Sequence, residues 1–110
     1  MEFIGTPVGD SLVLAVKGRM DVTSSPKFEK ECQTWLDQGQ TRMVADLSGL
    51  EYISSAGLRS ILVVGKRLKA SGGGLSLCGL KGMVQEVVTV SGFATIFPIH
   101  DTVDKALGKS

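Results

Sequence analysis

The chain has 110 residues, a net charge of +1 and 43% apolar residues. This length fits one compact domain, because typical domains contain roughly 100–150 residues, and we predict a single domain over residues 1–110. Twelve basic side chains face eleven acidic ones, so no excess charge indicates binding to nucleic acid or to an anionic membrane. No stretch approaches the ~20 apolar residues of a membrane span, and residues 1–10 lack the pattern of a signal peptide. The two isolated thiols, Cys32 and Cys78, suit a reducing compartment. We therefore expect a cytoplasmic protein.

Two strands and a helix are predicted first. Residues 2–8 and 11–19 favour strands joined by a turn. A helix follows with Pro26 at its first position, because proline lacks the N–H that would be unpaired there, with Ser25 as its cap and Gly39 at its end. Its buried stripe is predicted from residues at helical spacing: Phe28, Cys32, Trp35 and Leu36.

Helices and strands then alternate. Further strands are predicted over residues 42–47, 75–80 and 95–99. Between them we predict a loop over residues 48–53, a helix over residues 55–70 and a helix from about residue 84 to 92. Asp101 is predicted to cap a terminal helix. Two strands followed by helix–strand alternation predict an α/β domain with a mixed central sheet and about four helices packed on it.

Two adjacent hydroxyls, Ser54 and Ser55, lie where the loop becomes the second helix. Backbone N–H groups are unpaired there and the helix dipole is positive, so a phosphate is readily accepted. Position alone favours a simple capping serine. Phosphorylation would leave the host folded but would add nearly two negative charges to any partner contact.

The apolar pattern of the second helix predicts which of its faces is free. With Leu58 as the inward reference, the residues predicted to face the sheet are Ile61, Leu62, Gly65 and Leu68. The opposite stripe starts at Ser55 and is small and lightly charged; it consists of Ala56, Ser60, Val63 and Arg67. We expect a partner helix to lie along this stripe.

Three motifs resemble the STAS domain of the anti-sigma factor antagonist family, and the resemblance extends over the whole chain. The most specific is the central signature, Asp-Leu-Ser-Gly-Leu at residues 46–50 followed by Tyr-Ile-Ser-Ser-Ala-Gly-Leu at residues 52–58. Gly-Arg-Met-Asp at residues 18–21 resembles the family's Gly-x-hydrophobic-Asp after the second strand. Ser-Gly-Phe at residues 91–93 resembles the step after the third helix.

The resemblance implies a non-catalytic switch protein without a cofactor. Ser55, two residues before the signature Gly57, would be phosphorylated by an anti-sigma factor that is also a serine kinase, and a phosphatase would reset it. The unphosphorylated form would bind that factor and free the sigma factor. Many relatives have Asp where this chain has Ser54, which makes Ser54 a competing acceptor. The predicted partner-binding residues are Asp21, Thr23, Ser54, Ser55, Ala56, Gly57, Arg59, Ser60 and Val63.

The sequence also bears on other classes of function. A hydrolase would need a base, and the single histidine, His100, could act only with Ser55 and the adjacent Asp101, an unusual arrangement for a triad. One histidine and two distant cysteines do not indicate a zinc site. The glycines at residues 72–74 lack the Lys-Ser/Thr of a phosphate-binding loop. A STAS scaffold or adaptor subunit of another signalling assembly, or a nucleotide-binding STAS module, remains open.

Overall fold

Five strands form one mixed sheet whose spatial order follows the chain. The computed structural model describes residues 1–109. The strands are β1 (Glu2–Val8), β2 (Ser11–Met20), β3 (Arg42–Ile53), β4 (Gly74–Cys78) and β5 (Ile99–His100). The helices are α1 (Ser25–Asp37), α2 (Ser55–Ala70), α3 (Gly82–Val90) and α4 (Val103–Ala106), with a 3-10 turn at Phe93–Thr95. β1 is antiparallel to β2, and all the other pairs are parallel. The predicted α/β domain, with a mixed sheet and four helices, is therefore confirmed.

Alternation along the strands places the main core on one face of the sheet. Leu12, Leu14 and Val16 of β2 each have an exposed fraction of 1% or less. They belong to one buried cluster with residues from α1 and α2, among them Phe28, Cys32, Ile61, Val64 and Leu68. The crossovers from β2 to β3 and from β3 to β4 run in the same direction, and their right-handedness puts both helices on this face. On the other face, Ala106 of α4 shares a cavity with Val44 and Ser76.

One close approach joins the first strand to α1. A Cβ atom at Gly5 of β1 would overlap the indole ring of Trp35, so only glycine fits beneath this ring. The indole Nε1 donates a hydrogen bond to Glu31 Oε2 at 2.9 Å, which fixes the ring over the strand. This contact packs α1 against β1, the antiparallel strand at the edge of the sheet.

The structure corrects the predicted loop at residues 48–53. These residues continue β3, which pairs with β2 as far as Met20 and Ile53. Two register shifts, each with one extra residue in β3, accommodate the longer pairing, and the Lys17 side chain lies where a Cβ atom of Gly49 would be. Beyond Asp46, where its pairing with β4 ends, β3 pairs with β2 alone. This extension depends on a strand that is distant in the chain, so the local sequence does not indicate it.

Three smaller boundaries were also predicted wrongly. The cap of α1 is Ser24, and Ser25 is already helical. The fifth strand starts at Ile99, because the positive φ of Gly92 begins a 3-10 turn through Thr95. Thr102 caps α4 by accepting from Lys105 N at 3.1 Å. Among residues 1–109, no helix has the length and apolar character needed to cross a membrane.

Candidate functional site

The site is built where β2 and β3 end side by side. Met20 pairs with Ile53 at the last position of the parallel ladder. Just beyond it, the backbone N–H of Ser54 donates to the Met20 carbonyl at 2.9 Å. The loop that starts at Asp21 and the first turn of α2 are therefore adjacent, and Asp21 and Ser55 lie at the same end of the sheet.

Ser54 and Ser55 have different environments in the structure. Ser54 is the N-cap of α2: its backbone is extended, and its Oγ accepts a hydrogen bond from Gly57 N at 3.3 Å. Ser55 is the first helical residue and is exposed. Its hydroxyl has no hydrogen-bond partner among residues 1–109. Of the two, Ser55 presents the free oxygen.

Gly57 lets the first turn of α2 approach the end of β2. A Cβ atom there would lie 2.7 Å from Ile53 Cγ1 and 2.9 Å from the Met20 carbonyl oxygen. A backbone oxygen cannot move aside as a flexible side chain can, so the position requires glycine. Gly57 is buried, and its predicted place in the partner-binding surface is wrong; it packs beneath Ser54 and Ser55.

Asp21 organises the loop between β2 and α1. Its Oδ1 accepts hydrogen bonds from the backbone N–H groups of Ser24 and Thr23, both at 3.0 Å. The Ser24 hydroxyl lies 3.2 Å from the same oxygen and 2.6 Å from the Arg19 carbonyl. The hydrogen bond from the Ser24 backbone N–H is the main cause that lowers the pKa of Asp21 below 3.8. Desolvation raises this pKa, whereas the Ser24 hydroxyl, the Thr23 N–H and the charge of Arg19 lower it further. Asp21 therefore presents a negative charge next to the start of α2.

The same loop exposes an apolar residue that the sequence analysis missed. Val22 is 75% exposed, and Thr23 beside it is exposed as well. Asp21 holds this tip through its hydrogen bonds to Thr23 and Ser24. Val22 and Thr23 are therefore accessible to another protein at this loop. No local pattern distinguishes Val22 from an ordinary loop residue, so the sequence carried no signal for it.

The predicted outward stripe of α2 is partly wrong. Ser60 is only 2% exposed and donates to Glu29 Oε2 at 2.6 Å. Glu29 Oε1 also lies 3.7 Å from Arg67 Nη2, so this side of α2 faces α1. Ser60 cannot contact a partner in this arrangement.

The face of α2 that is open to solvent is rotated about the helix axis by about a quarter of a turn from the prediction, at ~100° per residue. Ser55, Arg59 and Lys66 are exposed along it, whereas Ala56 and Val63 are half-buried at its border. The surface is basic: α2 carries Arg59, Lys66, Arg67 and Lys69 and no acidic residue. The exposed surface is therefore more strongly charged than the predicted stripe, in which Arg67 is the one charged residue.

The residues of the alternative hydrolase site do not come together. His100 of β5 pairs with Cys78, which in turn pairs with Asp46 of β3. Ser55 lies beyond the end of β3 at Ile53, and the stretch of β2 from Ala15, opposite Asp46, to Met20, opposite Ile53, covers five residue steps, or about 17 Å. Within residues 1–109, no cluster of three or more His, Cys, Asp or Glu side chains is arranged to hold a metal ion.

Both thiols are buried and unreactive in character. Burial raises the pKa of Cys32 to about 12. Burial and the nearby Asp46 carboxylate raise the pKa of Cys78 to about 11. Both are free thiols in the described structure.

Comparisons with known proteins give the family of the chain. The model of the STAS domain family matches residues 5–106, so the chain belongs to the STAS domain family. A Bordetella bronchiseptica protein, BtrV, assigned as an anti-sigma factor antagonist, is 41% identical over 95 residues, which are 86% of this chain and 82% of the relative.

Solved structures extend the likeness to the fold. A crystal structure of a Thermotoga maritima protein assigned as an anti-sigma factor antagonist superposes with a TM-score of 0.90 at 25% identity, covering 96% of this chain and 92% of that one. The phosphorylated form of the Bacillus cell fate determinant SpoIIAA superposes with a TM-score of 0.75 at 20% identity, covering 97% of each chain. At that identity the SpoIIAA structure shows the shared fold.

Proposed function

We propose that this protein is a phosphorylation-controlled anti-sigma factor antagonist, acting in the cytoplasm as a single STAS domain. The unphosphorylated form binds an anti-sigma factor that is also a serine kinase, and so releases the sigma factor. Phosphorylation of Ser55 by that kinase blocks binding, and a phosphatase restores it. The observation that carries the proposal is the exposed Ser55 hydroxyl at the start of α2, beside a neighbouring serine whose oxygen caps the helix.

The partner-binding surface is proposed from residues that are accessible at this end of the sheet. Asp21, Val22 and Thr23 form one side of it, in the loop after β2. Ser55 and Arg59 form the other side, with the half-buried Ser54, Ala56 and Val63 at its edge. Gly57 supports this surface from beneath by holding α2 against β2.

A phosphate on Ser55 acts differently on the free protein and on the complex. In the free protein it lies at the positive end of the α2 dipole. Arg59 is four residues further on, the spacing at which an acidic group and a following base pair on a helix. In a complex the same group is enclosed, Arg59 balances only one of its nearly two charges, and an unpaired charge at an interface costs about 3–5 kcal/mol. Converting a protein that is almost all bound to its partner into one that is almost all free requires about 5.5 kcal/mol. One phosphate therefore supplies most of this free energy.

The names of the relatives support the class of partner. BtrV and the Thermotoga maritima protein are both assigned as anti-sigma factor antagonists. SpoIIAA, which has the same fold, was solved in a phosphorylated form.

The decisive experiment combines phosphorylation with binding. Each anti-sigma factor kinase of the source organism is expressed and incubated with this protein and ATP, and the modified residue is located by mass spectrometry. We expect phosphate on Ser55. Ser55→Ala should bind the kinase whether or not ATP is present, and Ser55→Asp should bind at least tenfold more weakly. Thr34→Asp, on an exposed position of α1, is the control for an added charge. Equal affinity of the wild type, Ser55→Ala and Ser55→Asp would refute the switch.

A further inference from the structure

An apolar groove of about 290 Å³ lies between the second half of α2 and the segment before β5. Leu62 and Gly65 of α2 form one wall, and Ile96 and Phe97 form the other. The Phe97 ring lies so close to Gly65 that a Cβ atom there would overlap it. Phe97 is nearly buried at 7% exposed, whereas Ile96 at the rim is 54% exposed. The groove thus has a firm apolar floor and an apolar side chain that is left in water.

The rim of the groove carries positive charge. Lys66 and Lys69 line it and are both exposed. Within residues 1–109 the ion pairs are Arg67 with Glu29 and Lys105 with Asp101. Neither rim lysine therefore has an acidic partner in the described part of the chain. A ligand that complements this groove has carboxylates next to an apolar group.

The groove continues the surface that contains Ser55. Residues 55, 62, 66 and 69 follow one another at spacings of seven, four and three, which places them in one row along a helix. With a rise of 1.5 Å per residue, Lys66 lies about 16 Å from Ser55 along the axis of α2. A partner helix of three to four turns, about 16–22 Å long, spans this distance.

We propose that the groove is a second contact for the anti-sigma factor and receives an amphipathic helix of that partner, with carboxylates facing Lys66 and Lys69 and an apolar side chain inserted beside Ile96 and Phe97. This inference rests on the proposed function, because it names the partner of the same surface. A helix is favoured over a small anionic amphiphile because the α2 residues that line the groove lie in one row with Ser55. It also supplies a physical reason for the switch: a phosphate at the end of a basic row repels an acidic helix that lies along it.

The test uses the full-length protein and the anti-sigma factor kinase that modifies Ser55. Ile96→Ala and the double variant Lys66→Glu/Lys69→Glu should each raise the KM for phosphorylation of Ser55 at least tenfold and leave kcat within twofold. The charge variant should also flatten the dependence of the Kd on salt concentration. Val90→Ala removes a comparable exposed side chain on α3, 87% exposed, and Lys30→Glu reverses an exposed charge on α1. Both controls should leave KM within twofold. Circular dichroism verifies that every variant is folded.

The outcomes separate the groove from the switch. Unchanged KM and Kd in the groove variants, with Ser55 still controlling binding, would overturn the groove and leave the proposed function intact. Weakened binding in the groove variants together with no effect of Ser55→Asp would support the groove and refute the switch. Failure of every anti-sigma factor of the organism to bind would overturn both. Saturable binding of dodecanoate that the groove substitutions abolish, with partner binding unchanged, would assign the groove to an amphiphile and overturn the helix.

Discussion

Replacing Ser54 and Ser55 in turn should separate a structural hydroxyl from a regulatory one. Ser54→Ala removes the oxygen that accepts from Gly57 N at 3.3 Å. Loss of a serine N-cap costs about 0.5–2 kcal/mol, and the bond is long for an N–H···O bond, so we expect the lower half of that range. For a domain of this size, about 0.5–1 kcal/mol lowers the Tm by roughly 2–6 °C. Ser55→Ala removes an exposed hydroxyl and replaces serine by a better helix former, so its Tm should stay within about 1 °C of the wild type.

Thermal unfolding followed by circular dichroism measures both shifts. Ser54→Asp serves as the rescue variant, because aspartate also caps helices and its charge suits the helix N-terminus; its Tm should return to the wild-type value or above. Ser54→Ala should still be phosphorylated on Ser55. An equal loss of Tm in Ser54→Ala and Ser55→Ala, or no recovery in Ser54→Asp, would refute the assignment of the cap to Ser54.

Two further predictions follow from the titration of buried and hydrogen-bonded groups. Asp21→Ala should have a lower Tm than the wild type at pH 7. Because the pKa of Asp21 in the folded protein is below 3.8, its contribution to stability is present above that pH and is lost as the pH falls through the folded pKa. A difference in Tm between the two proteins that stays constant down to pH 2 would contradict this. The pKa values of Cys32 and Cys78 are about 12 and about 11, so a fraction of about one thousandth or less of each thiol is thiolate at pH 8. Ellman's reagent should therefore label neither thiol rapidly until denaturant is added. Rapid labelling of the native protein would refute their burial.

The bounds of α2 could be predicted from the sequence because their causes are local. A serine pair precedes an apolar stripe at helical spacing, and Ser71 with the following glycines ends it; the predicted span of residues 55–70 agrees with the structure. The prediction that Asp21 and Ser55 lie at the same end of the sheet also agrees with the structure. These features depend on neighbours in the chain.

The orientation of α2 could not be predicted, because it depends on α1. With Leu58 as the only inward reference, Ser60 fell on the outer face. In the structure Leu58 is half-buried, and Ser60 is buried against Glu29, which lies 31 residues away in the chain. A helix that packs on both a sheet and a neighbouring helix buries a wider arc than a single stripe indicates. The extension of β3 escaped prediction for a similar reason, since it depends on pairing with β2.

The indole stacked over Gly5 gives this protein an optical property of practical use. Trp35 is the single tryptophan of the chain, and it lies ten residues into α1, about 15 Å along the helix from Ser25, at the end that follows the Asp21 loop. Its fluorescence should report whether the first strand is closed against α1 and should not respond to chemistry at Ser55. Unfolding curves of the modified and unmodified protein can therefore be recorded with the same intrinsic signal and compared without a correction for the phosphate.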